Sequence, residues 1–350
     1  MIRDSACTSL FAELQNILEP TFWFADENVV ELVELVAAHP QLTLITNRFD
    51  VWQAATRRQI RAIFSDFDVK DYPKEVPVEK ILYRISKEKP LVHHLLNQAA
   101  DLLDQVDGEL FICGLKQQGI KTYADNLIKV FHANGKLKKT GQHYIGRFSQ
   151  LSVSAKLDCQ QYPEPRLIKL TNKDAQFLSK PGVYGWNKID AGTELLLEAL
   201  SIHWPKWKAK PEKVLDLGCG YGWIFMNLGG YNFTSITATD NNLAAISCAK
   251  ANASMNAMAV QILASDCANT INDSFDLILC NPPFHQGFAH QKQLIKQFAQ
   301  SAAEKMSVGG AAMFVVNEFV PLEAVAGTFL PKQRVLIKER GFKVVLLEKS

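Results

Sequence analysis

Short hydrophobic runs recur along the chain, each closed by glycine, proline or an acid, with stretches of helical spacing between them. The order is regular in the C-terminal half. Residues 213–218 (KVLDLG) read as a buried strand running into glycines, followed by a helix from Trp223 to Leu228, and 235–240 (SITATD) as a second strand ending in an acid. Residues 241–256 place Ala244, Ala245, Cys248, Ala249 and Asn252 at helical spacing. A third strand is expected over 260–263, closed by Ser265 and Asp266, and a fourth over 275–280 (FDLILC), ending at Asn281-Pro282-Pro283-Phe284. A long helix from about His290 to Met306 stops at Gly309 and Gly310. A fifth strand over 311–316 and a final strand pair within 334–348, turning at Gly341, complete the pattern. Strands alternating with helices imply an α/β fold with a parallel, doubly wound sheet.

The N-terminal half follows the same plan in worn form. Residues 80–85 (KILYRI) stand where 275–280 stand in the other half; Pro90 then leads into a helix from Leu91 to Leu103, and Gly108 precedes a strand over 109–113. Residues 21–26, 43–46 and 61–64 supply the earlier strands. This half has no glycine loop, and Arg84 to Lys89 replace Asn-Pro-Pro-Phe. The pattern therefore predicts a duplicated domain whose first copy, residues 1–160, has lost its ligand site, joined to a second copy over 161–350. An unrelated α/β domain is the competing reading. Residues 144–148 and 151–155 alternate like strands, and 160–165 is a turn-rich break.

Charge and cysteine content narrow the partners. The first 150 residues carry 18 Lys and Arg against 19 Asp and Glu, and the remainder 20 against 17, so neither half is a broadly basic nucleic-acid binder and any RNA contact must use local patches. Two such patches are Arg57, Arg58 and Arg61 on an expected helix, and Lys136, Lys138 and Lys139 on an expected hairpin; a solvated charged face is the plainer reading of both. Seven cysteines without a CxxC pair argue against a disulfide framework and a zinc cluster, so no metal is expected. No apolar run approaches membrane-spanning length, and the first twenty residues carry Asp4, Glu13 and Glu19 without an apolar core behind a basic start. A cytoplasmic monomer without membrane contact is the expectation.

The candidate chemistry lies at the strand ends of the second half. Asp216, Gly218, Gly220 and Gly222 follow a strand and open a helix, where glycines let a ligand approach the backbone. The spacing is Gly-x-Gly-x-Gly and not the dinucleotide fingerprint GxGxxG. A pyrophosphate would be repelled by the Asp216 carboxylate, whereas an ammonium group would be attracted to it. S-adenosylmethionine carries an α-ammonium and a sulfonium and no phosphate. Asp240, at the next strand end, can accept both ribose hydroxyls, with Asn241 beside it; Asp266 ends the third strand within reach of an adenine edge, or is a solvated turn residue.

Asn281-Pro282-Pro283-Phe284 is the most specific signal, standing about 60 residues after the glycine loop. Two prolines fix the backbone beyond a buried strand. The Asn281 side-chain oxygen and the Pro282 carbonyl can then face one NH₂ group, favouring a pyramidal nitrogen whose lone pair points at a methyl donor. No strong general base is needed. Phe284 offers a ring for a flat substrate. Cys219 and Cys280 read as small buried residues and not nucleophiles.

Together, DLGCGYG, Asp240 and NPPF resemble the class I S-adenosylmethionine methyltransferases that act on nitrogen. Residues 181–193 (PGVYGWNKIDAGT), 281–285 (NPPFH) and 316–321 (VNEFVP) resemble the ribosomal RNA small subunit methyltransferase C family, strongly over 180–347 and loosely before. That resemblance implies two tandem Rossmann-like methyltransferase domains, the N-terminal one a degenerate duplicate serving as scaffold and RNA-docking surface. It further implies guanine-N2 methylation of 16S ribosomal RNA, with Gly218, Gly220 and Asp240 holding the cofactor and Asn281 to Phe284 the guanine. The family's usual Pro-Gly-Val-Phe-Ser-Arg is here Pro-Gly-Val-Tyr184-Gly185-Trp186, so an arginine contact is lost or replaced by Lys188. Tyr184, Lys188, His285 and Asn317 are the remaining substrate candidates; Tyr184 and Trp186 also read as ordinary packing, and His285 as a polar lid. A sister family methylating guanine N2 of 23S ribosomal RNA shares these motifs. Asn-Pro-Pro-aromatic also occurs in adenine-N6 and protein-glutamine methyltransferases, and a non-enzymatic RNA-binding scaffold is the reading from another class.

Overall fold

The computed structural model describes residues 4–69, 77–104, 106–170, 175–283 and 288–349, with the side chains of 288–291 left aside. The chain divides into two compact units, Met1–Glu164 and Pro165–Ser350.

In the first unit the elements run α1 (Ser5–Leu14), β1 (Thr21–Phe24), α2 (Val30–Val33), β2 (Leu42–Thr46), α3 (Phe49–Arg57), β3 (Arg61–Phe64), β4 (Lys80–Arg84), α4 (Lys89–Leu103), β5 (Glu109–Leu115), α5 (Ile120–Val130), β6 (Asn134–Thr140) and β7 (His143–Ser149). In the second they run β8 (Arg166–Leu170), β9 (Ala175–Ser179), α6 (Ala191–His203), β10 (Lys213–Leu217), α7 (Trp223–Met226), β11 (Ser235–Asp240), α8 (Leu243–Met255), β12 (Gln261–Ala264), β13 (Phe275–Cys280), α9 (Phe288–Lys305), β14 (Met306–Asn317), α10 (Leu322–Ala326), β15 (Lys332–Glu339) and β16 (Phe342–Glu348).

The two sheets have one topology. Their orders are β3-β2-β1-β4-β5-β7-β6 and β12-β11-β10-β13-β14-β16-β15. In each, five strands are parallel and the last two form an antiparallel hairpin at the edge. The central strands are buried on both faces, as helix-covered parallel strands must be: every residue of β1, β2 and β4 is buried, and β10 is exposed only at Lys213. The duplication read from the sequence is therefore present in the fold, with a hairpin in place of a fully parallel sheet.

Four local expectations are corrected. The long helix ends at Lys305, and Gly309 and Gly310 lie inside β14. There the register jumps from Phe275↔Met306 to Leu277↔Ala311, and Gly309 takes φ +77°, so the glycine pair serves a bulge and not a helix stop. Residues 151–155 form no strand; β7 pairs instead with β6, which carries Lys136, Lys138 and Lys139 outward along the sheet edge. The helix after the glycine loop ends at Met226, not Leu228. Arg61 opens β3 and is not on a helix with Arg57.

Candidate active site

The strand order of the second unit reverses between β10 and β13, the position where open α/β sheets bind ligands beyond the strand ends. Leu217 pairs with Cys280, so Gly218 and Asn281 leave neighbouring strands at one level. On the other side Leu217 pairs with Thr239 and Asp240 with Ala264, which brings Asp240 and the Asp266 turn into the same row. From β12 to β13 the row crosses three strand spacings, about 14 Å.

The glycine loop is built of left-handed residues: Gly218 at φ +82°, Gly220 at +56° and Gly222 at +99°. A Cβ on Gly222 would stand 2.3 Å from the Phe225 ring, whereas one on Gly220 would meet nothing within 4 Å. Gly222 is thus required by packing and Gly220 faces open space. Asp240 ties the loop to the following turn, its Oδ2 accepting from the Gly220 amide at 2.9 Å and its Oδ1 from the Asn242 amide at 2.8 Å. The Asn241 side chain donates through Nδ2 to Asp266 Oδ1 at 3.4 Å.

Asp216 is fully buried inside β10. Its Oδ2 accepts from the Phe225 amide at 3.2 Å, while its Oδ1 is buried with no partner among the described residues. Burial pushes the carboxyl up to about 8, against the lowering from that amide, and the nearby Asp240 adds to the rise. A buried acid left short of one partner beside an open glycine loop is what an incoming ammonium group would satisfy.

Asn281 is half-buried, Pro282 buried and Pro283 exposed; Phe284 and His285 lie outside the described residues. The Asn281 side chain donates both its amide hydrogens, to Asp190 Oδ1 at 2.8 Å and to Thr193 Oγ1 at 2.7 Å. Asp190 caps α6, accepting from the Thr193 amide at 3.0 Å. Tyr184, half exposed, hydrogen-bonds Asp190, and its phenol is raised by partial burial and that carboxylate. Lys188 is exposed, and its carbonyl accepts from the Tyr221 hydroxyl at 3.0 Å. Trp186 is a packing residue, stacked under the Arg166 guanidinium at 4.6 Å. Asn317, exposed at the end of β14, accepts from the Phe319 amide at 3.2 Å.

Two features escaped sequence reasoning. Asp190 and Thr193 lie in the 181–193 segment that carries the family resemblance, but their contact with Asn281, across about 90 residues, has no local signal beyond an N-cap pattern before a helix. Phe319 is 81% exposed just past β14, where an aromatic side chain has no packing reason to stand. Cys219 and Cys280 are buried, and burial holds both thiols well above their usual range. Among the described residues no group of His, Cys, Asp and Glu is arranged to hold a metal.

The corresponding switch point of the first unit carries different residues. After β1 come Ala25 and Asp26 in place of glycines, both buried, with Asp26 capping a short turn through Asn28. Arg84, 3% exposed, fills the place of Asn281.

The methyltransferase small domain family matches residues 174–346. The second unit is thus a class I methyltransferase domain. Curated relatives extend across both units. The ribosomal RNA small subunit methyltransferase C of Erwinia tasmaniensis is 28% identical over 78% of this chain and 76% of its own. That of Shewanella loihica is 26% identical over 91% of this chain and 90% of its own. The T. thermophilus 16S rRNA N2 methyltransferase, solved in complex with AdoMet and guanosine, superposes with a TM-score of 0.80 at 21% identity, covering 99% of this chain and 92% of that one. The chain is thus similar to the ribosomal RNA small subunit methyltransferase C proteins across both units, as the motifs implied.

Proposed function

We propose that this protein transfers a methyl group from S-adenosylmethionine to the exocyclic N2 of a guanine in 16S ribosomal RNA, within the small ribosomal subunit, acting as a cytoplasmic monomer. The names of the curated relatives favour the small-subunit substrate over the large one. Among the described residues no helix is long and apolar enough to cross a membrane. The first unit, with Ala25, Asp26 and Arg84 where the second has its glycine loop and Asn281, is the scaffold and RNA-docking domain in this reading.

The observation that carries the proposal is the row of groups along one sheet end: an open left-handed glycine loop, a buried acid with an orphaned oxygen, and an asparagine whose amide hydrogens are already used. The first two fit the cofactor. Gly218, Gly220 and Gly222 would lie along it, Asp216 would take its ammonium, Asp240 the ribose hydroxyls, and Asn241 with Asp266 the adenine edge. Bound there, S-adenosylmethionine supplies an electrophilic methyl group. Asn281 Oδ1 and the Pro282 carbonyl accept the two hydrogens of the guanine amine. That pulls the nitrogen towards a pyramidal geometry and aims its lone pair, which is alignment and electrostatic preorganisation in one device. Phe284 stacks on the base after it leaves its helix, a step costing a few kcal/mol. Tyr184, Lys188, His285 and Asn317 are the further residues assigned to the substrate in this reading.

Kinetics of Asn281→Ala test this assignment. The variant keeps its affinity for S-adenosylmethionine and loses about 100-fold or more in methyl transfer. Full activity would remove Asn281 from the chemistry.

A further inference from the structure

We propose that Asp190 and Thr193 are positioning residues for methyl transfer: they occupy both hydrogens of the Asn281 amide and so hold its carbonyl oxygen towards the acceptor nitrogen. The proposal rests on the acceptor role given to Asn281 above.

Chemistry fixes the orientation. A primary amide can turn about its last torsion at little cost, exchanging a donor for an acceptor. An acceptor turned into a donor would repel a guanine amine. At this site the turn is blocked. Asp190 Oδ1, 2.8 Å from Asn281, is a carboxylate oxygen that only accepts, so a turned amide would set oxygen against oxygen. Thr193 Oγ1, 2.7 Å away, takes the second hydrogen and directs its own towards Asp190 Oδ1, at 3.4 Å. The clamp is itself anchored, because the same carboxylate caps a 13-residue helix. Room for it is reserved: a Cβ on Gly192 would come within 3.0 Å of Asp190 Oδ1 and 3.2 Å of the Phe342 ring.

The first unit supplies an internal comparison. Phe24 pairs with Tyr83 as Leu217 pairs with Cys280, so Arg84 follows its strand pair as Asn281 does. Asp4 caps α1, the helix before β1, as Asp190 caps α6, the helix before β10. Arg84 Nε donates to Asp4 Oδ2 at 2.9 Å. Both copies therefore tie the central strand end to a helix-cap carboxylate. In the second copy the tied group is an amide with an oxygen to present. In the first it is a guanidinium, which has five donors and no acceptor. The tie outlasted the chemistry, and the amide is the part that differs.

The test uses the full chain, with kcat measured at saturating RNA and S-adenosylmethionine affinity by calorimetry. Asp190→Ala and Thr193→Val each lower kcat by about 10- to 100-fold while cofactor affinity stays within about 2-fold. Thr193→Ser, which keeps the hydroxyl, restores activity. In the Asn281→Ala background neither change costs anything more, because each acts through Asn281. Losses that multiply in the double variants overturn the proposal, as would Asp190→Ala and Thr193→Val both at wild-type kcat beside an inactive Asn281→Ala; either result leaves the acceptor role standing. An active Asn281→Ala overturns both. Should Asp190→Ala fail to fold for want of its cap, the Thr193→Val and Thr193→Ser pair decides.

Discussion

Two glycines of one loop are expected to fail in opposite ways when given a methyl group. Gly220 adopts φ +56°, so an alanine there pays the left-handed backbone cost of about 1–2 kcal/mol, and nothing within 4 Å meets its Cβ. For a unit of this size the midpoint of thermal unfolding falls by about 2–8 °C. Gly222 adopts φ +99° and its Cβ would lie 2.3 Å from two atoms of the fully buried Phe225 ring. Overpacking of about 1–3 kcal/mol adds to the backbone cost there, and the fall in midpoint is correspondingly larger. Cofactor affinity should show the reverse contrast. The open space above Gly220 is where S-adenosylmethionine would lie, so Gly220→Ala weakens binding by about 10-fold or more, equivalent to 1.4 kcal/mol per decade. Calorimetric titration of each variant, paired with its melting curve, separates the two effects. A Gly220→Ala protein that binds the cofactor as tightly as the parent would refute the placement of the cofactor over that glycine.

Three further outcomes follow from the same geometry. The raised carboxyl of Asp216 stays protonated in the folded state up to about pH 8 and is ionised in the unfolded chain above about pH 4, so it makes ligand-free stability fall as pH rises between those values; Asp216→Asn should flatten that part of the denaturation profile, and an unchanged slope would contradict the burial argument. Cys219 and Cys280, buried with raised thiol pKa values, should resist iodoacetamide at pH 7.5 in the folded protein, as peptide mapping can check; rapid labelling with loss of activity would count against their burial. Phe319→Ala should leave the melting temperature unchanged and raise KM for RNA about 5-fold or more if the ring stacks on a base; equal KM values would return Phe319 to an ordinary exposed side chain.

The elements that position the site were legible because their signals are local. The fourth strand of the second half was expected over 275–280, and β13 has those bounds, since a continuous apolar run closed by two prolines leaves the chain little choice. The duplication was legible as the order of strands, prolines and glycines, and the identical strand orders bear it out. Misreadings arose where a residue type has two uses. Gly309 and Gly310 suit a helix end or a strand bulge, and only the pairing of Phe275 with Met306 selects the bulge. Residues 151–155 alternate like a strand, but the edge beside β7 is taken by β6, whose lysines suit an exposed sheet edge better. At the site, the glycines and Asp216 announce themselves by spacing. Asp190 does not, because its partner is distant in sequence and helix capping already accounts for an aspartate at that position.

The most direct test of the account is to incubate the purified protein with methyl-labelled S-adenosylmethionine and separated small and large ribosomal subunits from cells lacking the enzyme, then to analyse the labelled nucleosides. Label in N2-methylguanosine from the small subunit alone is the expected result. Label in N2-methylguanosine from the large subunit would contradict the substrate, and label in methylated adenine, in protein glutamine or in nothing would contradict the assigned chemistry.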